Sequence, residues 1–124
     1  KLSLFLFDST LVSTPSNFVS IALLSASIKL RLQIPQVSIL SKRDLIGKKW
    51  KRVMSWSANN SRLQEDMKDL DGDTYTLATG TLNALVESGV SETLLPFSAN
   101  ENTGLVEIAA TISRILSSGE DIQD

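Results

Sequence analysis

Two short stretches carry the side chains best suited to chemistry: Ser-Lys-Arg-Asp at residues 41–44 and Ser-Ala-Asn-Glu-Asn-Thr-Gly at residues 98–104. The first follows the apolar run Gln-Val-Ser-Ile-Leu (36–40), and the second completes the run Thr-Leu-Leu-Pro-Phe-Ser-Ala (93–99). In parallel α/β sheets, ligands bind where strands end. A carboxylate such as Asp44 can accept two N–H donors from one edge of a planar group. Guanine offers two such donors side by side, whereas adenine offers a ring acceptor there and is repelled. The Lys42 stem can pack flat along a purine, with its ammonium toward the phosphate side. A free N–H at Ala99 can donate to the guanine carbonyl, an oxygen adenine lacks. Against this stands a plainer alternative, a solvated turn opening a helix.

Other arrangements fail on residue type or spacing. With no histidine and no cysteine, a Ser-His-Asp triad, histidine or thiolate metal sites and disulfides are excluded. Asp69–Asp73 opens like a calcium loop, but Thr74 and Gly80 stand where glycine and glutamate are required, so we expect a surface turn. Gly47 with Lys48 resembles the end of a phosphate loop, yet the earlier glycine would have to be Lys42. Six of the twelve basic residues lie between Lys42 and Arg52, and five acids lie between Glu65 and Asp73. Such runs are usually solvated helix faces. We expect Trp50 to be buried under a basic amphipathic helix, with no direct nucleic-acid contact. No residue is assigned as catalytic or as a metal ligand.

The elements that must position these loops follow from periodicity. At 124 residues, 42% hydrophobic and 21% charged, the chain has the composition of one globular domain. No run approaches the roughly 20 apolar residues of a membrane span and no leader pattern is present, so we expect a cytoplasmic protein without a membrane partner. Leu-Ser-Leu-Phe-Leu-Phe (2–7) is apolar on both faces, which places it in a sheet covered on both sides. Thr14 can cap and Pro15 suits the first position of a helix; Phe18, Ile21, Ala22, Leu24, Ile28 and Leu32 recur at helical spacing up to Pro35. Strand 36–40 comes next, then helices over 47–57, from Ser61, and around Tyr75–Val86 ending at Gly89. A third strand over 93–99 and a last helix with Leu105, Ile108, Ile112 and Ile115 complete the order β-α-β-α-α-α-β-α. We expect an α/β fold, a three-stranded parallel sheet flanked by helices, in a single domain over 1–124 with a frayed tail over 116–124. The chain opens directly on a strand, without a methionine, and we expect it to be a piece of a longer protein.

A resemblance joins these observations. Residues 41–44 resemble the Asn-Lys-x-Asp guanine-specificity motif of P-loop GTPases, and the stretch from Ser98 resembles their Ser-Ala-Lys motif. The closer likeness is to the GPN-loop GTPases, including archaeal ATP/GTP-binding members, carried by residues 7–46, 54–63 and 94–105. The resemblance implies the carboxyl-terminal half of a GTP-binding P-loop domain. It implies that Asp44 reads the guanine edge, Lys42 packs on the base, and Ser98 with Ala99 closes the pocket at the guanine carbonyl. Ser41 stands where the family's asparagine braces the pocket and helps read the base, and Asn100 stands where lysine is common. Asp8, at a strand end, is expected to cap the following turn rather than hold magnesium.

For the whole protein the resemblance implies GTP hydrolysis to GDP with Mg2+, a homodimer, and protein partners, since eukaryotic relatives act in RNA polymerase assembly. The phosphate loop, magnesium-binding residues, switch regions and Gly-Pro-Asn loop of the family all align before Lys1. This chain alone is therefore expected to be inactive and to hold no cofactor. The competing expectations are a non-catalytic protein-interaction module and an ATPase of the same superfamily, which Asp44 opposes.

Overall fold

A computed structural model describes residues 1–89 and 93–123, with side chains to residue 118. Three strands, β1 (Ser3–Asp8), β2 (Gln36–Ser41) and β3 (Leu94–Pro96), form one parallel sheet in the order β1-β2-β3. The helices are α1 (Pro15–Leu32), α2 (Lys49–Ala58), α3 (Asn60–Met67), α4 (Gly72–Glu87) and α5 (Leu105–Gln123), with a 3₁₀ turn at Arg43–Ile46. The expected element order and parallel sheet are what the chain adopts. The expected tail, 116–124, falls partly outside the described residues; the backbone stays helical to Gln123.

Helix α1 makes the crossover between the two longer strands, which pair from Ser3 with Gln36 to Asp8 with Ser41. Pro15 sits in its first turn, where a missing N–H costs nothing. Thr14 occupies the capping position, but its side chain makes no capping bond. The helix ends on Gln33, in the left-handed conformation. Gln36 Nε2 then donates to Ser25 Oγ at 2.8 Å, tying the start of β2 back to α1.

Two apolar layers hold the sheet. On one face Phe7, Leu40 and Leu94 meet Phe18, Val19, Trp56, Leu63, Met67 and Leu82 from α1 to α4. Rings step through this layer from Phe5 to Phe7, Phe18 and Trp56, with centroids 5.3, 5.8 and 5.6 Å apart. Such spacings favour offset and edge contacts between aromatic quadrupoles. On the other face α5 brings Ile108, Ile112 and Ile115 against Val37, Ile39 and Leu95.

Three expectations need correction. Strand β1 is not covered on both faces, because α5 follows β3 and lies over β2 and β3. Leu2 still reaches that layer, but Leu4 and Leu6 are 52% and 59% exposed. Second, the tryptophan in the core is Trp56, 2% exposed, while Trp50 is only half-buried. Trp50 lies in the first turn of α2, packed against the rim of the core, where the Arg43 guanidinium covers its ring at 4.5 Å. Helix α3 also begins earlier than Ser61. Asn59, in extended conformation, accepts from Ser61 N–H and caps the helix.

Candidate functional site

The two loops singled out in the sequence meet at the carboxyl ends of β2 and β3. The last strand bond, Phe97 N–H to Leu40 O at 2.9 Å, sets the strand ends side by side. Lys42 then turns the chain off β2 through a left-handed conformation, φ 57°. Beyond β3, Ser98 and Thr103 exchange backbone bonds of 3.1 Å in both directions, closing residues 99–102 into a tight loop. Gly104 makes that closure sterically feasible. Its φ is +92°, and a Cβ would lie 2.1 Å from the Pro96 carbonyl oxygen, a contact no side chain can occupy.

Asp44 is the centre of the arrangement. Ser98 Oγ donates to its Oδ1 at 2.7 Å, and Asn100 Nδ2 donates to its Oδ2 at 2.9 Å. The buried Ser98 hydroxyl is itself fixed, accepting from Glu101 N–H at 3.1 Å. The Ser98 and then the Asn100 hydrogen bonds hold the Asp44 carboxyl below the ordinary carboxylate value. Asp44 is therefore an anion with both oxygens already oriented.

Arg43 makes the opposite link. Its guanidinium donates to Thr103 Oγ1 at 2.7 Å and lies 3.4 Å from the Glu101 carboxylate. The neighbours Arg43 and Asp44 thus cross-brace one loop with opposite charges, one to positions 101 and 103, the other to 98 and 100. Arg43 and Thr103 do not stand out in the sequence as bracing residues. The only signal was alternation of donors and acceptors along 98–103, which is weak without the loop conformation.

The remaining expected residues sit around this pair. The Lys42 ammonium lies 3.1 Å from Asp8 Oδ2, and its side chain is exposed beside β1. Asp8 also accepts from Thr10 N–H and Thr10 Oγ1 at 3.0 and 2.7 Å, closing a turn. The Thr10 bond, more than Lys42, keeps the Asp8 carboxyl below its usual value. Ser41 Oγ donates to the Phe7 carbonyl at 3.5 Å. Ala99 is exposed, and its N–H makes no hydrogen bond among the described residues. A cavity lined by Phe18, Trp56, Asn60, Leu63 and Leu82 shares no residue with these loops. Among the described residues no group of three or more carboxylate, histidine or cysteine side chains can hold a metal ion. No helix among the described residues is long and apolar enough to cross a membrane.

Known proteins share this arrangement of chain. Over 122 residues the chain is 25% identical to GPN-loop GTPase 3 of Danio rerio, covering 96% of this chain and 43% of that one. A GPN-loop GTPase 2 homolog of Dictyostelium discoideum is 50% identical over 40 residues, 32% of this chain and 13% of the relative. The fold matches a GTPase of Pyrococcus abyssi crystallised in its apo form, with a TM-score of 0.78 at 17% identity, over 93% of this chain and 47% of that one. The chain thus spans less than half the length of these relatives. A family model described as "conserved hypothetical ATP binding protein" matches residues 1–118, and on that match the chain belongs to this family, the one that includes the GPN-loop GTPases.

Proposed function

We propose that the loops after β2 and β3 form the base pocket of a guanine-nucleotide-binding protein that hydrolyses GTP to GDP. The observation that carries the reading is the Asp44 carboxylate, held by Ser98 and Asn100 at the strand ends, with the Ala99 N–H, which has no hydrogen-bond partner among the described residues, on the same loop. A fixed carboxylate suits two adjacent donors on guanine, and the Ala99 N–H suits the guanine carbonyl. Adenine matches neither, which favours GTP over the ATP in the family's description. Lys42, anchored at Asp8, lays its stem toward the base face, and Ser41 bounds the pocket on the β1 side.

The residues described supply base contacts, and phosphoryl transfer depends on phosphate-side groups and a metal. We therefore expect this chain by itself to show no turnover, and the GTP-hydrolysing activity with Mg2+ to belong to the full-length protein. The family resemblance read in the sequence implies a cytoplasmic homodimer engaged in assembling protein complexes, and our proposal extends to that role. A second reading, a non-catalytic interaction module, draws on the exposed Leu4 and Leu6 of edge strand β1.

The test is nucleotide preference in the full-length protein. Asp44→Asn exchanges two acceptors for one acceptor and one donor. GTP affinity should fall roughly ten- to a hundredfold, the scale for a lost bond to a charged group. Preference should drift toward xanthine nucleotides, whose extra carbonyl accepts the new donor. Unchanged GTP affinity in Asp44→Asn would reduce Asp44 to a turn residue and leave the interaction-module reading.

A further inference from the structure

An ionised carboxylate offers about four lone-pair sites, two on each oxygen. In Asp44 the protein uses one site on each: Ser98 Oγ at Oδ1, 2.7 Å, and Asn100 Nδ2 at Oδ2, 2.9 Å. One acceptor site on each oxygen remains, the complement of two neighbouring N–H groups on one edge of a base. A donor on each oxygen also stops the carboxylate turning about its Cβ–Cγ bond. Ser98 does this from the buried side and Asn100 from the exposed rim.

The Asn100 amide has a second end. With its nitrogen donating to Asp44, its oxygen is an acceptor without a hydrogen-bond partner among the described residues. It is carried on the same planar amide, next to Asp44 Oδ2. The exocyclic amine of guanine has two hydrogens. One suits Oδ2, and the other needs a further acceptor. Hypoxanthine has no such amine. We infer that Asn100 is a specificity-determining residue: it fixes Asp44 and accepts the second hydrogen of the exocyclic amine of a 2-aminopurine, so it widens the separation of guanine from hypoxanthine that Asp44 already makes. The inference rests on the guanine-pocket reading. A lysine at this position has donors only and cannot add this contact.

The experiment measures GTP, ITP and ATP affinities of the full-length protein as wild type, Asn100→Ala and Asn100→Lys. Asn100 is exposed, so both variants are expected to fold. Wild type should prefer GTP to ITP, and each variant should lower the GTP:ITP affinity ratio about two- to tenfold, the scale of one neutral hydrogen bond. ITP affinity should move less. In parallel, the Asp44 carboxyl titration followed by NMR should rise in Asn100→Ala, because one of the two donors holding it down is gone. A GTP preference over ATP that survives with an unchanged GTP:ITP ratio overturns the reading role of Asn100. An unmoved Asp44 titration overturns its positioning role. Wild-type protein that fails to prefer GTP over ATP overturns the base pocket itself, and this inference with it.

Discussion

The Asp66→Asn substitution probes the support beneath the candidate pocket. Asp66, in α3, accepts from Arg52 Nε and Nη2 at 3.0 and 2.8 Å, and from Trp56 Nε1 at 2.7 Å. These bonds lock α3 onto α2, the helix whose first turn carries Trp50 under Arg43. The Asp66 side chain is 12% exposed, and its carboxyl is held at about 2, against an ordinary 3.8, by Arg52 first and Trp56 second. At about 1.4 kcal/mol per tenfold change in proton affinity, that depression corresponds to a ceiling of about 2.5 kcal/mol. Arg52 is 57% exposed, so solvent screens its share and about 1–2 kcal/mol is expected. Because the folded value is the lower one, the contribution is complete above the ordinary carboxylate value and is lost as pH falls through the window between 3.8 and about 2. Urea unfolding of both proteins at a series of pH values isolates the effect, since Asp8 and Asp44 titrate alike in each. Asp66→Asn should be less stable by that amount at neutral pH, and the gap should close across the acid window. A gap that keeps its size into strong acid would show that the Asp66 charge is not what joins the helices.

Two further perturbations test the geometry. Gly104→Ala places a Cβ against the Pro96 carbonyl at a φ of +92°, and should cost about 1–3 kcal/mol in urea unfolding while loosening the 98–103 loop; a neutral substitution would refute the close approach. Strand β1 is an edge strand with Leu4 and Leu6 exposed, and such edges template pairing with another chain. The 124-residue chain should therefore self-associate in light scattering over a concentration series, and Leu4→Lys with Leu6→Lys should suppress it. A concentration-independent monomer would show that the edge is already protected.

What the sequence makes legible is the part of the fold set by local pattern. The apolar strands, Pro15 at a helix start and Gly89 after α4, at φ 75°, each act through their own backbone or periodicity. Strand β3 was expected over 93–99 but is confined to Leu94–Pro96, because Ser98 pairs with Thr103 instead of continuing along β2. That exchange is a loop property, and apolar alternation does not encode it. The same limit applies at the site. Asp44, Ser98 and Ala99 stand out by type and by their places after strands. The reason Ser98 can reach Asp44 is the closure of residues 99–102, which depends on Asn102 at φ 55° and on Gly104 beneath Pro96. Asn100 looked like a departure from a lysine-containing motif until the fold set its amide on Asp44 Oδ2. A substitution that seems to weaken a motif in one dimension can therefore complete a carboxylate's hydrogen bonding in three. The two Asp44 contacts also come from alternate positions of one loop, so a change that shifts its register by one residue should remove both together.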